Sequence, residues 1–427
     1  MKTAWMRRSL VAALVILAGG LTGPVQAQSP LLKAGGRLAI VGDSITEQKL
    51  YSRFMEDYLA VCTPELNAAV VQLGWGGERA PGFAGRMEND LQGFKPDVVT
   101  TCYGMNDGSY RAYEPAIGKP YEDAMRDIVT RLAKAGAKVV VGAPGAVDLT
   151  YYRGGGDAAK VYNENLGQLG AIASKLATEA GMPFADVHAI MIAAMDQARA
   201  AYGPEYDVCG RDGVHPGPNG HLVMAYAFLK AMGFNGDLGT ITVDLTGTSS
   251  AAGGHKVLSA EAGKVEVESS RYPFCFSGDA KSPGGTRSIL PYVPFNQDLN
   301  RLTLVAKNLP WERATVTWGA ESKSFAKADL EKGINLAAEF AVTPFAEAFQ
   351  RVDAAVAAKQ GFETTMIKSF VTNVPRLLQA MGNDPESAAA FNALRVKMWE
   401  RQAKLAADVK AAVTPVRHTL TLAEAKP

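Results

Sequence analysis

Ser44 ends a short apolar run in "AIVGDSITEQ" (residues 39–48), where the chain changes from apolar to polar, helix-forming residues. A serine hydroxyl is a poor nucleophile unless a histidine accepts its proton and an acid fixes that histidine's tautomer. The chain has 5 histidines, and "RDGVHPGPNGH" places Asp212 three residues ahead of His215 in a loop rich in Gly and Pro. His221 falls in the helical stretch that follows and reads as structural, whereas His188, His255 and His418 have no partner nearby in the sequence. Gly-Asp-Ser alone is also an ordinary turn and cap. Two further stretches, "QLGWGGERA" and "CYGMNDG", bring Gly77 and Asn106. A tetrahedral acyl intermediate needs donors aimed at its oxyanion. The backbone N–H groups of Ser44 and Gly77 and the side-chain amide of Asn106 would supply three.

These residues need a frame that gathers them. "LAIVG", "AAVVQLG", "DVVTTCYG", "KVVVGAP" and "MPFADV" read as five buried strands, separated by helical patterns such as Gln48 to Val61, Tyr121 to Ala135 and Ala158 to Ala180. Short continuous apolar strands alternating with helices predict an α/β fold, a parallel sheet covered on both faces. In such a sheet functional groups collect beyond the carboxyl ends of the strands. Ser44, Gly77, Asn106 and the Asp212–His215 loop all follow strands, and the helix expected from Gln48 would aim its positive end at Ser44. Trp75, Tyr103 and Tyr110 fall in the same loops and are candidate substrate contacts, since aromatic faces pack on sugar rings.

After Gly233 the texture changes. "TITVDLTG", "GKVEVESS", "RLTLVAKN" and "ATVTWG" alternate apolar and polar residues between Gly, Pro and Ser clusters, which predicts antiparallel strands and a small β-sandwich. A helical insertion is expected from about 344 to 413, and "RHTLTLAEA" is expected to return to the sandwich as a strand. The resulting organisation is a leader at 1–27, an α/β domain at 28–236 and a β-rich plus helical region at 237–427. The second half is expected to keep a core of its own beyond a Gly- and Ser-rich connection.

The 427 residues are 47% hydrophobic and 20% charged, and 44 basic residues balance 43 acidic ones, so no strong field favours nucleic acid. Lys2, Arg7 and Arg8, the apolar run Leu10 to Ala18 and the small residues ending at Val25-Gln26-Ala27 fit a cleaved secretory signal. That run is shorter than the roughly 20 residues that span a bilayer, so a secreted or periplasmic chain without stable membrane insertion is expected. Cys62, Cys102, Cys209 and Cys275 form no CxxC or Cys/His array with metal-ligand spacing. Small buried thiols with at most one bridge are the favoured reading over a disulfide framework.

Taken together, GDSIT around Ser44, GWGGE around Gly77, GMND around Asn106 and DGVHP around His215 resemble the four signature blocks of the SGNH (GDSL-type) hydrolase superfamily, over residues 38–232. The resemblance implies a flavodoxin-like α/β/α sandwich with a five-stranded parallel sheet and serine esterase chemistry with neither metal nor organic cofactor. It implies Ser44 as nucleophile, His215 as general base, Asp212 as orienting acid, and Ser44, Gly77 and Asn106 as the oxyanion hole. The second block commonly begins with Asn; here Gln72 stands in that place. The expected substrate is a small acyl ester or an acylated carbohydrate, the leading reading being an acetylesterase acting on glycans. Within the superfamily a lipase, lysophospholipase or arylesterase is the alternative, and outside it a glycan-binding protein.

Overall fold

The computed structural model describes residues 29–261 and 263–426; the expected leader at 1–27 lies outside them. In the first half, strands β1 (Arg37–Gly42), β2 (Ala69–Gln72), β3 (Val98–Cys102), β4 (Lys138–Gly142) and β5 (Phe184–Ala185) alternate with helices. These helices are α1 (Ser44–Glu47), α2 (Tyr51–Val61), α3 (Ala80–Leu91), α4 (Pro115–Lys134), α5 (Asp157–Ala180), α6 (Val187–Tyr202) and α7 (Pro218–Ala231). The five strands form one parallel sheet in the order β2-β1-β3-β4-β5, as the apolar runs predict. Successive side chains of β1 point to opposite faces, Leu38 and Ile40 into the core shared with α2, α6 and α7, Ala39 and Val41 into the core shared with α3 and α4.

The helix after Ser44 differs from expectation. A four-residue turn, α1, is capped by Asp43, whose carboxylate accepts the Ile45 N–H at 3.0 Å. The chain then breaks at Gln48–Leu50, with Lys49 at φ 61, and α2 starts only at Tyr51. Ser44 opens a separate short turn, and the helix expected over Gln48 to Val61 forms from Tyr51 to Val61.

The second half contains β6 (Asp237–Asp244), β7 (Ser250–Ala251), β8 (His255–Glu261), β9 (Lys264–Ser269), β10 (Arg301–Lys307), β11 (Arg313–Trp318), β12 (Glu321–Ala326), β13 (Ile334–Asn335) and β14 (Val416–Glu424). They build two sheets, β13-β10-β6-β7 and β12-β11-β14-β9-β8. The final strand returns between β11 and β9 as predicted. The β6–β10 pair is parallel, not antiparallel, because the chain makes β7 to β9 before coming back to lie beside β6. Short helices α8 (Phe295–Asp298), α9 (Lys327–Lys332) and α10 (Leu336–Glu339) fill the connections, followed by α11 (Ala346–Ser369), α12 (Val374–Ala380) and α13 (Pro385–Ala412).

The halves do not keep separate cores. One buried cluster runs from Leu32 and Phe228 to Trp318 and Leu422. Its seam is aromatic: Phe54 meets Phe274 edge-on at 5.9 Å, and Tyr58 meets Phe295 at 6.3 Å. The helical insertion lies against the α/β half, where α11 packs on α2 and β2. There Glu363 of α11 accepts the Gln72 N–H at 3.0 Å, and Gln402 of α13 donates to the Val70 carbonyl at 3.2 Å. These bonds satisfy the outer edge of β2, the last strand of the parallel sheet, which would otherwise expose unpaired backbone groups. Lys359, fully buried, joins Glu363 (2.6 Å) to Glu56 of α2 (3.0 Å). Burial raises the Glu363 carboxyl to about 7 against the pull of Lys359. All four cysteines are free thiols; Cys62, Cys102 and Cys209 are buried and Cys275 is half-buried.

His255 and His418 do have partners, distant in sequence. The Trp318 indole donates to His418 Nδ1 (3.0 Å), His418 Nε2 meets Ser269 Oγ (2.9 Å), Ser269 Oγ meets His255 Nδ1 (2.7 Å), and His255 Nε2 meets the Leu238 carbonyl (2.8 Å). An indole only donates and a carbonyl only accepts. The chain therefore runs one way, with each histidine neutral and protonated on Nε2. Burial, aided by His255, lowers His418 from 6.5 to about 3, and burial also lowers His255. The folded state thus refuses a proton that the unfolded chain takes up below pH 6.5. Stability from this chain is complete above about 6.5 and falls as the pH drops toward 3, by about 1.4 kcal/mol per pH unit for His418 alone. Thermal unfolding between pH 7 and 4 should therefore show a steeper acid loss in the wild type than in His418→Asn; equal slopes would refute the assignment.

Candidate active site

β1 ends at Gly42 and delivers Ser44, half-buried, to the carboxyl edge of the sheet. Ser44 Oγ lies 2.8 Å from His215 Nε2, and His215 Nδ1 lies 2.6 Å from Asp212 Oδ2. Asp212 Oδ1 also accepts the backbone N–H groups of Val214 and His215, each at 2.9 Å. Burial alone would raise the Asp212 carboxyl, but these two bonds and the His215 ring outweigh it and hold the group below the usual carboxylate range. It stays ionised at neutral pH and fixes the His215 Nδ1–H tautomer, which leaves Nε2 free to accept from Ser44. The loop closes tightly enough that a Cβ on Gly210, at φ +81, would stand 1.9 Å from the His215 carbonyl. Three residues thus converge from chain positions 171 apart.

Gly77 and Asn106 follow β2 and β3. The Asn106 Nδ2 donates to the Glu78 carbonyl at 3.0 Å, which puts this amide next to Gly77. Tyr110 donates to Asn106 Oδ1 at 2.8 Å. Burial raises the Tyr110 phenol to about 12, so it donates at neutral pH and fixes which way the Asn106 amide faces. The loops are tied from beneath. Glu78 is bound by Arg86 (2.7 and 2.8 Å) and Tyr103 (2.8 Å), and Asp107 accepts the N–H groups of Ala80 and Gly104 at 3.0 Å each. Burial raises Asp107 to about 6 and Asp43 to about 7. Gln72, standing where Asn is commoner, spans the gap with its longer side chain, donating to the Thr46 carbonyl (2.8 Å) and accepting the Gly74 N–H (3.0 Å).

The aromatic candidates fare differently. Tyr103 is fully buried with its hydroxyl on Glu78, so it cannot touch substrate and is corrected to a loop support. Trp75 is half-buried, but its ring carries the Arg86 guanidinium at 5.0 Å and Lys368 Nζ at 5.1 Å. Tyr110 stacks on Tyr162 at 5.2 Å and uses its hydroxyl on Asn106. His221 is buried, accepts the Tyr51 N–H at 3.2 Å and is lowered to about 3 by burial. His188 bonds the Gly145 carbonyl at 3.0 Å. Sequence reasoning passed over Glu47, Glu78, Arg86 and Lys368. Glu47 and Glu78 stand beside the named blocks and could have been noticed; Lys368 carries no local signal.

Residues 40–223 match the family model of the GDSL-like lipase/acylhydrolases. The acetylxylan esterase of Geobacillus stearothermophilus is 25% identical over 223 residues, covering 47% of this chain and 95% of that protein. Among solved structures, a gut microbial diltiazem-metabolizing enzyme superposes over 94% of this chain and 100% of its own, with a TM-score of 0.72 and 22% identity. An alpha/beta hydrolase from the metagenome of Lake Arreo, Spain, covers 48% of this chain and 98% of its own at 25% identity and a TM-score of 0.39. The α/β half is therefore a carboxylic ester hydrolase domain. It belongs to the SGNH (GDSL-type) superfamily that its four sequence blocks resemble.

Asp212→Asn tests the hydrogen-bond chain. The amide can still accept at Oδ1, but its NH2 would face His215 Nδ1 and force the proton onto Nε2, leaving Ser44 without a base. Ester turnover should fall by about 10⁴-fold in a folded protein, and His215→Ala should lose at least as much. A folded variant of either kind with wild-type turnover would refute this reading.

Proposed function

We propose that the protein is an exported esterase that removes short acyl groups, acetyl above all, from carbohydrate. Ser44 Oγ attacks the ester carbonyl while His215 Nε2 takes its proton. The N–H groups of Ser44 and Gly77 and the Asn106 amide face the oxyanion. His215 then protonates the leaving alcohol, and a water, deprotonated by the same histidine, hydrolyses the acyl-serine. Asp212 holds the tautomer and stabilises the imidazolium throughout.

The single observation that carries the reaction type is the unbroken chain Ser44–His215–Asp212 at 2.8 and 2.6 Å. Two further facts support the substrate class. The site is open: the Asp212 and His215 side chains are 55% and 35% exposed and Gly77 is exposed, which suits an ester borne on a bulky alcohol. The relative spanning this half acts, by its name, on acetylated xylan. Export rests on the charged and apolar pattern of residues 1–27. Among the described residues no helix is long and apolar enough to cross a membrane.

The family also includes lipases, and acyl length separates the two readings. A roomy apolar pocket would gain about 0.8 kcal/mol per buried methylene. With small activated esters from acetyl to octanoyl, kcat/KM should instead be highest at acetyl and fall with length. Acetate should also be released from acetylated polysaccharide, and Ser44→Ala should abolish both activities while keeping the fold. A preference for octanoyl would replace this reading with the lipase one.

A further inference from the structure

The loop that carries Gly77, residues 73–79, contains three glycines; Arg86 and Tyr103 hold Glu78 on the far side of Gly77, and from Gly74 to Gly77 the only side chain is Trp75. Gly77 itself lies at φ +73 with open space where a Cβ would be, so its own packing does not fix where its N–H points. What holds this stretch is a set of bonds to its neighbours. Gly74 N–H goes to Gln72 (3.0 Å), Trp75 N–H to the Gly42 carbonyl (3.0 Å), and Gly76 N–H, immediately before Gly77, to Glu47 Oε2. The loop is laid directly on the turn that bears the nucleophile. A Cβ on Gly74 would come within 2.3 Å of the Glu47 backbone, and one on Gly76 within 2.8 Å of the Glu47 carboxylate.

Glu47 stands three residues after Ser44 at the end of α1, where an unpinned carboxylate would sample several rotamers. Its second oxygen, Oε1, is taken by Lys368 Nζ at 2.6 Å. That lysine lies in the last turn of α11, 321 residues away in the chain, and its ammonium also sits over the Trp75 ring. Both side chains are partly shielded, Lys368 30% and Glu47 24% exposed. The helix that presents Lys368 is fixed upstream by the buried Lys359–Glu56 pair and by the Glu363 bond to Gln72, and downstream by Asn373, which donates to the Lys368 carbonyl at 2.7 Å.

We propose that Lys368 is a positioning residue: by clamping Glu47 it sets Gly76, and through it aims the Gly77 N–H at the oxyanion, so that the C-terminal helices complete the active site of the α/β half. This rests on the oxyanion role proposed above for Gly77. Removing an oxyanion donor outright costs about 10²- to 10³-fold in rate, and loosening one should cost about 10-fold.

The test uses the full chain. Lys368→Met keeps the apolar stem and loses the ammonium. On a small acetyl ester kcat should fall about 10-fold with KM changed less than about twofold, because the donor acts on the transition state and not on the bound ester. Covalent inactivation by a small organophosphonate, whose tetrahedral oxygen calls on the same donors, should slow in parallel. Lys368→Arg should restore both rates to within about threefold, and Glu47→Gln combined with Lys368→Met should be no slower than the slower single variant, since the two act as one unit. Lys368→Gln replaces the methionine variant if that one does not fold. Wild-type kcat in Lys368→Met, or a lowered unfolding temperature with unchanged kcat and inactivation rate, would overturn the proposal. If Ser44→Ala is inactive while Lys368→Met is unaffected, only this inference falls; an active Ser44→Ala would remove the reading beneath it.

Discussion

A parallel sheet must end somewhere, and the backbone groups on its last strand need partners. Here that strand is β2, and the loop after it is the one that carries Gly77. The chain covers the edge with helices brought from more than 250 residues downstream: Glu363 takes the Gln72 N–H and Gln402 gives to the Val70 carbonyl. Because the covering groups include a buried carboxylate, the helices must also bring a counter-charge, and Lys359 provides it between Glu363 and Glu56. The same requirement explains why the halves share one core. Helices that satisfy β2 have to lie on the α/β half, and the aromatic seam of Phe54, Tyr58, Phe274 and Phe295 follows from that placement.

Beneath the site, side chains with no role in the reaction fix the loops that have one. Asp43, Glu78 and Asp107 are all buried, and each spends its oxygens on N–H groups of the loops or on Arg86 and Tyr103. Their burial raises Asp43 and Asp107 toward neutrality, whereas Asp212 stands largely in solvent with backbone donors around it and is held low. Three aspartates of equal intrinsic acidity are thus separated by environment into two loop anchors and one ionised partner for His215.

Among the described residues two serines, Ser44 and Ser269, bond histidine rings at similar lengths, and their surroundings give them different chemistry. At Ser44 the histidine has an ionised aspartate on Nδ1 and its Nε2 accepts from the hydroxyl. In the sandwich, Trp318 donates to His418 Nδ1, so Nε2 must donate to Ser269, whose own proton goes to His255. Ser269 thus donates to a buried histidine held by a backbone carbonyl and not by an ionised aspartate, and the chain ties the sheet of β8, β9, β11 and β14 to β6. The residue pair alone specifies neither role.

Much of this was legible in the sequence for a local reason. The apolar runs and their turn residues determined the five parallel strands, because a strand buried on both faces must be apolar throughout, and those runs placed Ser44, Gly77 and Asn106 at one edge. Asp212 and His215 could be paired because they are three residues apart in one loop. What the sequence could not indicate depends on contacts between distant residues: the break after α1, the parallel β6–β10 pair, the burial of Tyr103, the partners of His255 and His418, and the common core. Lys368 shows the limit most clearly. Nothing within α11 distinguishes it from any other lysine in a final helical turn. Only folding sets its ammonium 2.6 Å from Glu47, because a side chain's partner is decided by which helix face the covered edge of β2 leaves beside the active site.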